Sequence, residues 1–141
     1  MNDPVDRVFL DANVLFSAAY TPDSRLRALW SLAGVELVTS EFALEEARRN
    51  LLVHQPGGIA LLEELAARMT ITSGLPAKSA LPRGLPLAEK DRPILAAAVA
   101  VACTHLLTGD TRHFGGLYGK EIHGVRVLTP AAYLHTRRGR R

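Results

Sequence analysis

The sequence is short of several features that other protein classes need. Its 141 residues include a single cysteine, Cys103, so no internal disulfide framework is available, and no Cys/His pairing has zinc-ligand spacing. The longest strongly apolar run, Ile94 to Cys103, has ten residues, about half of the roughly 20 that a membrane span requires. Neither G-x-G-x-x-G nor G-x-x-x-x-G-K occurs, which disfavours a nucleotide-binding fold. The opening MNDPVDRVFLDAN lacks both a basic stretch and an apolar leader, so the expected location is the cytoplasm. The chain is not short of core formers. It is 48% apolar and 22% charged, the balance of one folded domain rather than of a disordered chain.

The net charge of +3 is unevenly placed. Arg137, Arg138, Arg140 and Arg141 carry the excess, and the rest of the chain is close to neutral. Two readings of this end stand: a solvated tail, or a non-specific contact to phosphates. The division expected is one domain over 1–136 and a basic, disordered tail over 137–141. The loosest internal stretch, Ser73 to Pro86, holds three prolines and two glycines and reads as a surface loop within that domain.

Short apolar runs partly rich in β-branched residues predict buried strands at Val8–Leu10, Val35–Val38, Met69–Thr72, His105–Thr108 and Val125–Leu128. Between them lie segments with helical spacing. Ser24–Ala33 aligns Leu26, Leu29, Trp30 and Ala33. Glu41–Val53 turns Phe42, Leu44, Ala47, Leu51 and Leu52 inward and Arg48 and Arg49 outward. Gly58–Arg68 aligns Ile59, Leu62, Leu65 and Ala66. Asp91–Ala102 is Ala-rich and nearly all apolar, with Pro93 tolerable only near its start. Cys103 reads as a buried small hydrophobe in that helix. This alternation predicts an α/β fold: a three-layer α/β/α sandwich around a mainly parallel sheet of four to five strands.

On this layout four acids reach one edge of the sheet. Asp11 follows the first strand and Asp110 the fourth, both at the carboxyl edge. Glu46 lies near the start of the helix after the second strand, and Asp91 begins the helix before the fourth. That edge is where open α/β sheets bind ligands. Two unit charges roughly 6 Å apart repel by about 3 kcal/mol at an effective dielectric near 20, so the cluster needs protons or cations. Hard oxygen ligands select Mg²⁺ or Mn²⁺, and such ions serve phosphodiester hydrolysis. Each acid also has a plainer reading. Asp11 would make a turn with Asn13, Asp91 and Asp110 would cap helices, and Glu46 would be a solvated charge with Glu45 as its competitor.

At these residues the chain resembles the PIN-domain family, in particular the VapC-like ribonuclease toxins of bacterial toxin–antitoxin pairs. The likeness runs from Val8 to about Leu134. FLDANVLFSA is similar to the family's strand-D-x-N opening, which makes Asp11 its first metal-binding acid. KDRPILAAAVAVACTHLLTGDTRHF is similar to its helix-to-strand segment and carries Asp91 and Asp110 over as the third and fourth. The second acid, about six residues after a Ser or Thr, is Glu46 counted from Ser40 or Glu45 counted from Thr39; Leu51 favours Glu46. On a helix the two point about 100° apart, so one of them faces the site. The resemblance implies Mg²⁺ or Mn²⁺ dependence, cleavage of single-stranded or structured RNA, a cognate antitoxin that blocks the site and commonly a homodimer. It also implies that Thr108 holds metal-bound water or the neighbouring carboxylate.

Other residues are weighed on their own chemistry. Asn13 is either an orienting partner of the carboxylates or a turn residue. Arg112 is either a contact to substrate phosphate or a surface charge. His113 and Phe114 read as packing under the active-site loop, and His54, His105, His123 and His135 as structural or surface residues. Trp30 and Phe42 read as core, and Tyr20 and Tyr118 as base-stacking platforms. A phosphatase of the haloacid-dehalogenase type needs a second Asp where Asn13 stands, and a receiver domain needs an adjacent acidic pair at the first site. The remaining alternative is a PIN-like RNA-binding or assembly module without catalysis.

Overall fold

A computed structural model describes residues 5–73 and 81–138. In chain order it contains β1 (Asp6–Leu10), α1 (Ala12–Tyr20), a 3₁₀ helix (Arg25–Ser31), β2 (Val35–Ser40), α2 (Glu41–His54) and α3 (Ile59–Ala66). There follow β3 (Thr70–Thr72), α4 (Arg92–Ala100), β4 (His105–Leu107), α5 (Thr111–Phe114), β5 (Glu121–Ile122), β6 (Val125–Leu128) and α6 (Pro130–Arg138). The sheet runs β3-β2-β1-β4-β6-β5 and is parallel except for β5 against β6. Helices flank it, as the apolar strands require. Val8, Phe9, Leu10, Leu106 and Leu107 are fully buried, so both faces of the central strands are covered. Among the described residues no helix is long and apolar enough to cross a membrane.

The five expected strands are present, and a sixth joins them. β5 has only two residues and pairs with β6 across His123-Gly124. Both turn residues have positive φ, 47° and 85°, as a two-residue hairpin turn matching strand twist demands. With His in place of the usual Asn or Asp, the turn leaves little trace in the sequence.

Several helical details differ from expectation. Within Ser24–Ala33 the helical part is Arg25–Ser31, a tighter 3₁₀ segment capped by the Ser24 side chain. On α2 the buried stripe is Ala43, Leu44, Ala47 and Leu51, while Phe42 and Leu52 are 45% and 59% exposed. Each lies one residue, about 100°, beyond the stripe on its outer side. Cys103 is buried but lies past the end of α4. There Ala102 turns left-handed with φ 56°, and the Cys103 and Ala102 amides donate to the Ala98 and Val99 carbonyls, a helix stop more often built on glycine. Burial pushes the Cys103 thiol up to about 12. At the carboxyl end α6 continues through Arg138, so 137 and 138 are helical rather than tail. Arg137 reaches the Ala33 carbonyl and approaches Asp6 at 3.6 Å. The expected disorder of 139–141 and part of the proline-rich loop, 74–80, lie outside the described residues.

One close approach holds the helical layer together. A Cβ at Gly58, between α2 and α3, would meet the Ala19 carbonyl oxygen at 2.7 Å and the Leu51 side chain at 3.1 Å. Backbone cannot yield as a side-chain tip can. Gly58→Ala is therefore expected to destabilise the protein by about 1–3 kcal/mol, read as a fall of several degrees in a circular-dichroism melt. An unchanged melting temperature would mean that α1 and α3 are not in firm contact.

Candidate functional site

Strand order reverses between β1 and β4: β2 and β3 extend the sheet one way from β1, and β4, β6 and β5 the other. The carboxyl ends of these two strands therefore open into a crevice, the position where such sheets accommodate ligands. Asp11 leaves β1 there, its amide donating to the Leu107 carbonyl at 3.1 Å. Thr108, Gly109 and Asp110 leave β4 beside it.

Asp11 is only 6% exposed. Its Oδ1 accepts from the Ala12 amide at 2.7 Å, capping α1, and its Oδ2 accepts from the Thr108 hydroxyl at 2.8 Å and the Asn13 side-chain amide at 3.1 Å. Thr108, fully buried, also accepts from the Asn13 amide and the Asp110 backbone N–H, each at 3.1 Å. Asn13 closes the set by accepting from the Gly109 N–H at 2.8 Å. The first residues past β1 and β4 are thus fastened together. Desolvation by burial raises the Asp11 pKa against the opposing Thr108 and Ala12 hydrogen bonds, and the charges of Glu46 and Asp110 raise it further. A carboxylate placed in this way gains from a nearby cation.

Asp110 caps α5 by accepting from the His113 amide at 3.1 Å, and its Oδ2 lies 2.6 Å from His113 Nδ1. The same ring nitrogen is 3.8 Å from Asp91 Oδ2. Asp91, Asp110 and His113 each offer one ligand atom within 4.8 Å of the others. Asp91 stands at the start of α4, yet its side chain makes no capping bond. Its buried Oδ2 has no hydrogen-bond partner among the described residues. A buried carboxylate oxygen in that state costs free energy unless something else satisfies it. The donor set is mainly hard oxygen, which suits Mg²⁺ or Mn²⁺. The residues present therefore fit a divalent cation.

Glu46 and Glu45 separate by face. Glu46 lines the same cleft as Asn13 and Asp110. Glu45 is drawn away by Arg48 at 2.7 Å, which also binds Glu63 on α3. Arg112 is exposed on α5 and joins none of the site contacts found among the described residues. His113 was expected only to pack under the loop; instead it touches Asp110. Its spacing of three from Asp110 was visible in the sequence, but its approach to Asp91 depends on tertiary structure. Tyr118 is only partly free to stack, because its hydroxyl donates to the Thr108 carbonyl at 2.8 Å. Burial, then the charges of Asp110 and Asp11, raise that phenol's pKa.

Residues 7–112 match the PIN domain family, a stretch that contains all four acids. Among solved structures, the chain is similar to VapBC2 from Rickettsia felis bound to a DNA fragment from their promoter. The TM-score is 0.61 at 18% identity, covering 87% of this chain and 98% of that one. None of the curated proteins matches the sequence.

Proposed function

This chain belongs to the PIN domain family, and from that premise we propose that it is a Mg²⁺- or Mn²⁺-dependent endoribonuclease, the toxin of a toxin–antitoxin pair. The observation that carries the reading is the approach of Asp91 to Asp110 and His113, with the buried Asp91 Oδ2 left without a hydrogen bond among the described residues; the charges of Glu46 and Asp110 also bear on Asp11. Asp11, Glu46, Asp91 and Asp110 would hold the cation. A divalent ion held there would supply a more acidic water and would offset charge on the phosphate. Thr108 and Asn13 fix the Asp11 carboxylate through their hydrogen bonds. His113 fixes Asp110 in the same way. Arg112, exposed beside them, would meet a flanking phosphate. Water attack in line with the leaving 3′ oxygen breaks the P–O3′ bond and yields a 5′-phosphate and a 3′-hydroxyl. The same reading includes a cognate antitoxin that blocks the site and a homodimeric toxin. The structural likeness to VapBC2 supports the fold and the partner of that reading, and the homodimer rests on the family resemblance.

Incubation of the full chain with RNA tests the proposal. With Mn²⁺ the RNA is expected to shorten to fragments bearing 5′-phosphates, and with EDTA to stay intact. RNA that is held equally well under both conditions and never cut would replace the nuclease with a binding module.

A further inference from the structure

The acid cluster is one end of a longer feature. Asn13, Phe16 and Tyr20 on α1 and Glu46, Asn50 and His54 on α2 face each other across an open cleft of about 590 Å³, and Asp110 closes its acidic end. The spacings of three and four on α1, and of four and four on α2, put each trio on one helix face. From Glu46 to His54 the cleft runs about 12 Å, at a rise of about 1.5 Å per residue. Its far end is aromatic. Phe16 lies 5.3 Å from the Tyr20 ring and 6.2 Å from the His54 ring, the latter edge-on. Tyr20 is 40% exposed, so part of its ring is open to a ligand. Among the described residues no Lys or Arg lines the cleft.

We propose that the Phe16–Tyr20–His54 end of this cleft is a nucleobase subsite, which takes an unpaired base next to the scissile phosphate. The inference rests on the nuclease reading given above. A wall with aromatic rings and, among the described residues, no lysine or arginine is a poorer seat for a phosphate than for a flat ring, because any base can stack on an aromatic face. The Asn50 amide, with both donor and acceptor, offers a partner for a base edge. A base already paired in a helix does not present its faces to such a wall. Continuity with Asp110 and Glu46 favours a nucleotide over an apolar peptide side chain, since the groove opens directly onto two of the acids proposed to meet the phosphate.

The test uses the full-length protein and a short single-stranded RNA, with any cut mapped first. Steady-state cleavage is measured in Mn²⁺, and affinity for dye-labelled RNA is measured separately by anisotropy in Ca²⁺. Tyr20→Ala and His54→Ala are each expected to raise KM and Kd about tenfold, with the effect on KM larger than that on kcat. Tyr20→Phe, which keeps the ring, restores most of the affinity. Removing one base beside the cut weakens the parent by a similar factor and weakens Tyr20→Ala little further. Unchanged KM and Kd in folded Tyr20→Ala and His54→Ala, with cleavage continuing, would overturn the subsite and leave the nuclease intact. A parent that never cuts, but loses RNA affinity on Tyr20→Ala, would remove the nuclease and keep the subsite. Variants that lose only a partner polypeptide would give the cleft to a protein and overturn the proposal.

Discussion

Asp91→Asn is expected to lower Mn²⁺-dependent RNA cleavage by about 10²–10³-fold while the melting temperature stays within about 2 °C of the parent. The two halves of this result have separate causes. Asp91 occupies the position from which an Asp usually caps a helix, and such a cap contributes about 1 kcal/mol. Here its side chain makes no capping bond, so the amide replaces nothing that holds α4. Its Oδ2 is buried without a hydrogen bond among the described residues, 3.8 Å from His113. Removing that negative charge takes away a proposed ligand and breaks no hydrogen bond found among the described residues. Asp110→Ala provides the contrast. It removes the bond to the His113 amide as well as the contact with His113 Nδ1. That variant should lose cleavage and also melt about 3 °C lower. Cleavage assays paired with circular-dichroism melts read both quantities. Full activity in Asp91→Asn would remove the proposed mechanism, and a large fall in its melting temperature would make Asp91 a structural residue.

What could be read from the sequence follows from how local each signal is. The strands announce themselves because a strand covered on both faces is apolar at nearly every position, as in Val8-Phe9-Leu10. The carboxylates that follow directly, Asp11 and Asp110, inherit their places from those strands and sit at the crevice where the strand order reverses. Glu46 was less legible. Its distinction from Glu45 depends on which side of α2 is buried and on the pull of Arg48 toward Glu63, and neither is a property of the helix alone. The same limit explains Phe42 and Leu52, apolar residues beside the buried stripe that the stripe does not need. His113 could be seen near Asp110, but its meeting with Asp91 joins segments separated by the whole of α4 and β4. The cleft lay deeper still. Phe16, Asn50 and His54 acquire a common meaning only when α1 and α2 pack side by side.

Saturating Mn²⁺ is expected to raise the melting temperature of the metal-free protein by about 9 °C, and EDTA to reverse the shift. At a concentration near 100 times the Kd, a ligand that binds only the folded state adds about 2.7 kcal/mol. For a domain of this length that corresponds to several degrees. The fold holds a cost for a cation to offset. Asp11 is desolvated, and the charges of Glu46 and Asp110 bear on it, while the buried Asp91 Oδ2 lacks a hydrogen bond among the described residues. A cation placed among these groups turns mutual repulsion into shared attraction. The shift should therefore shrink to about 1–2 °C in Asp91→Asn and in Asp110→Ala, measured with no RNA present. This separates ion binding from catalysis. A shift in the parent without any RNA cleavage would mean an occupied centre that serves no nuclease. Equal shifts in the parent and both variants would put the ion elsewhere on the surface, and no shift at all would leave four acids that share an edge without sharing a cation.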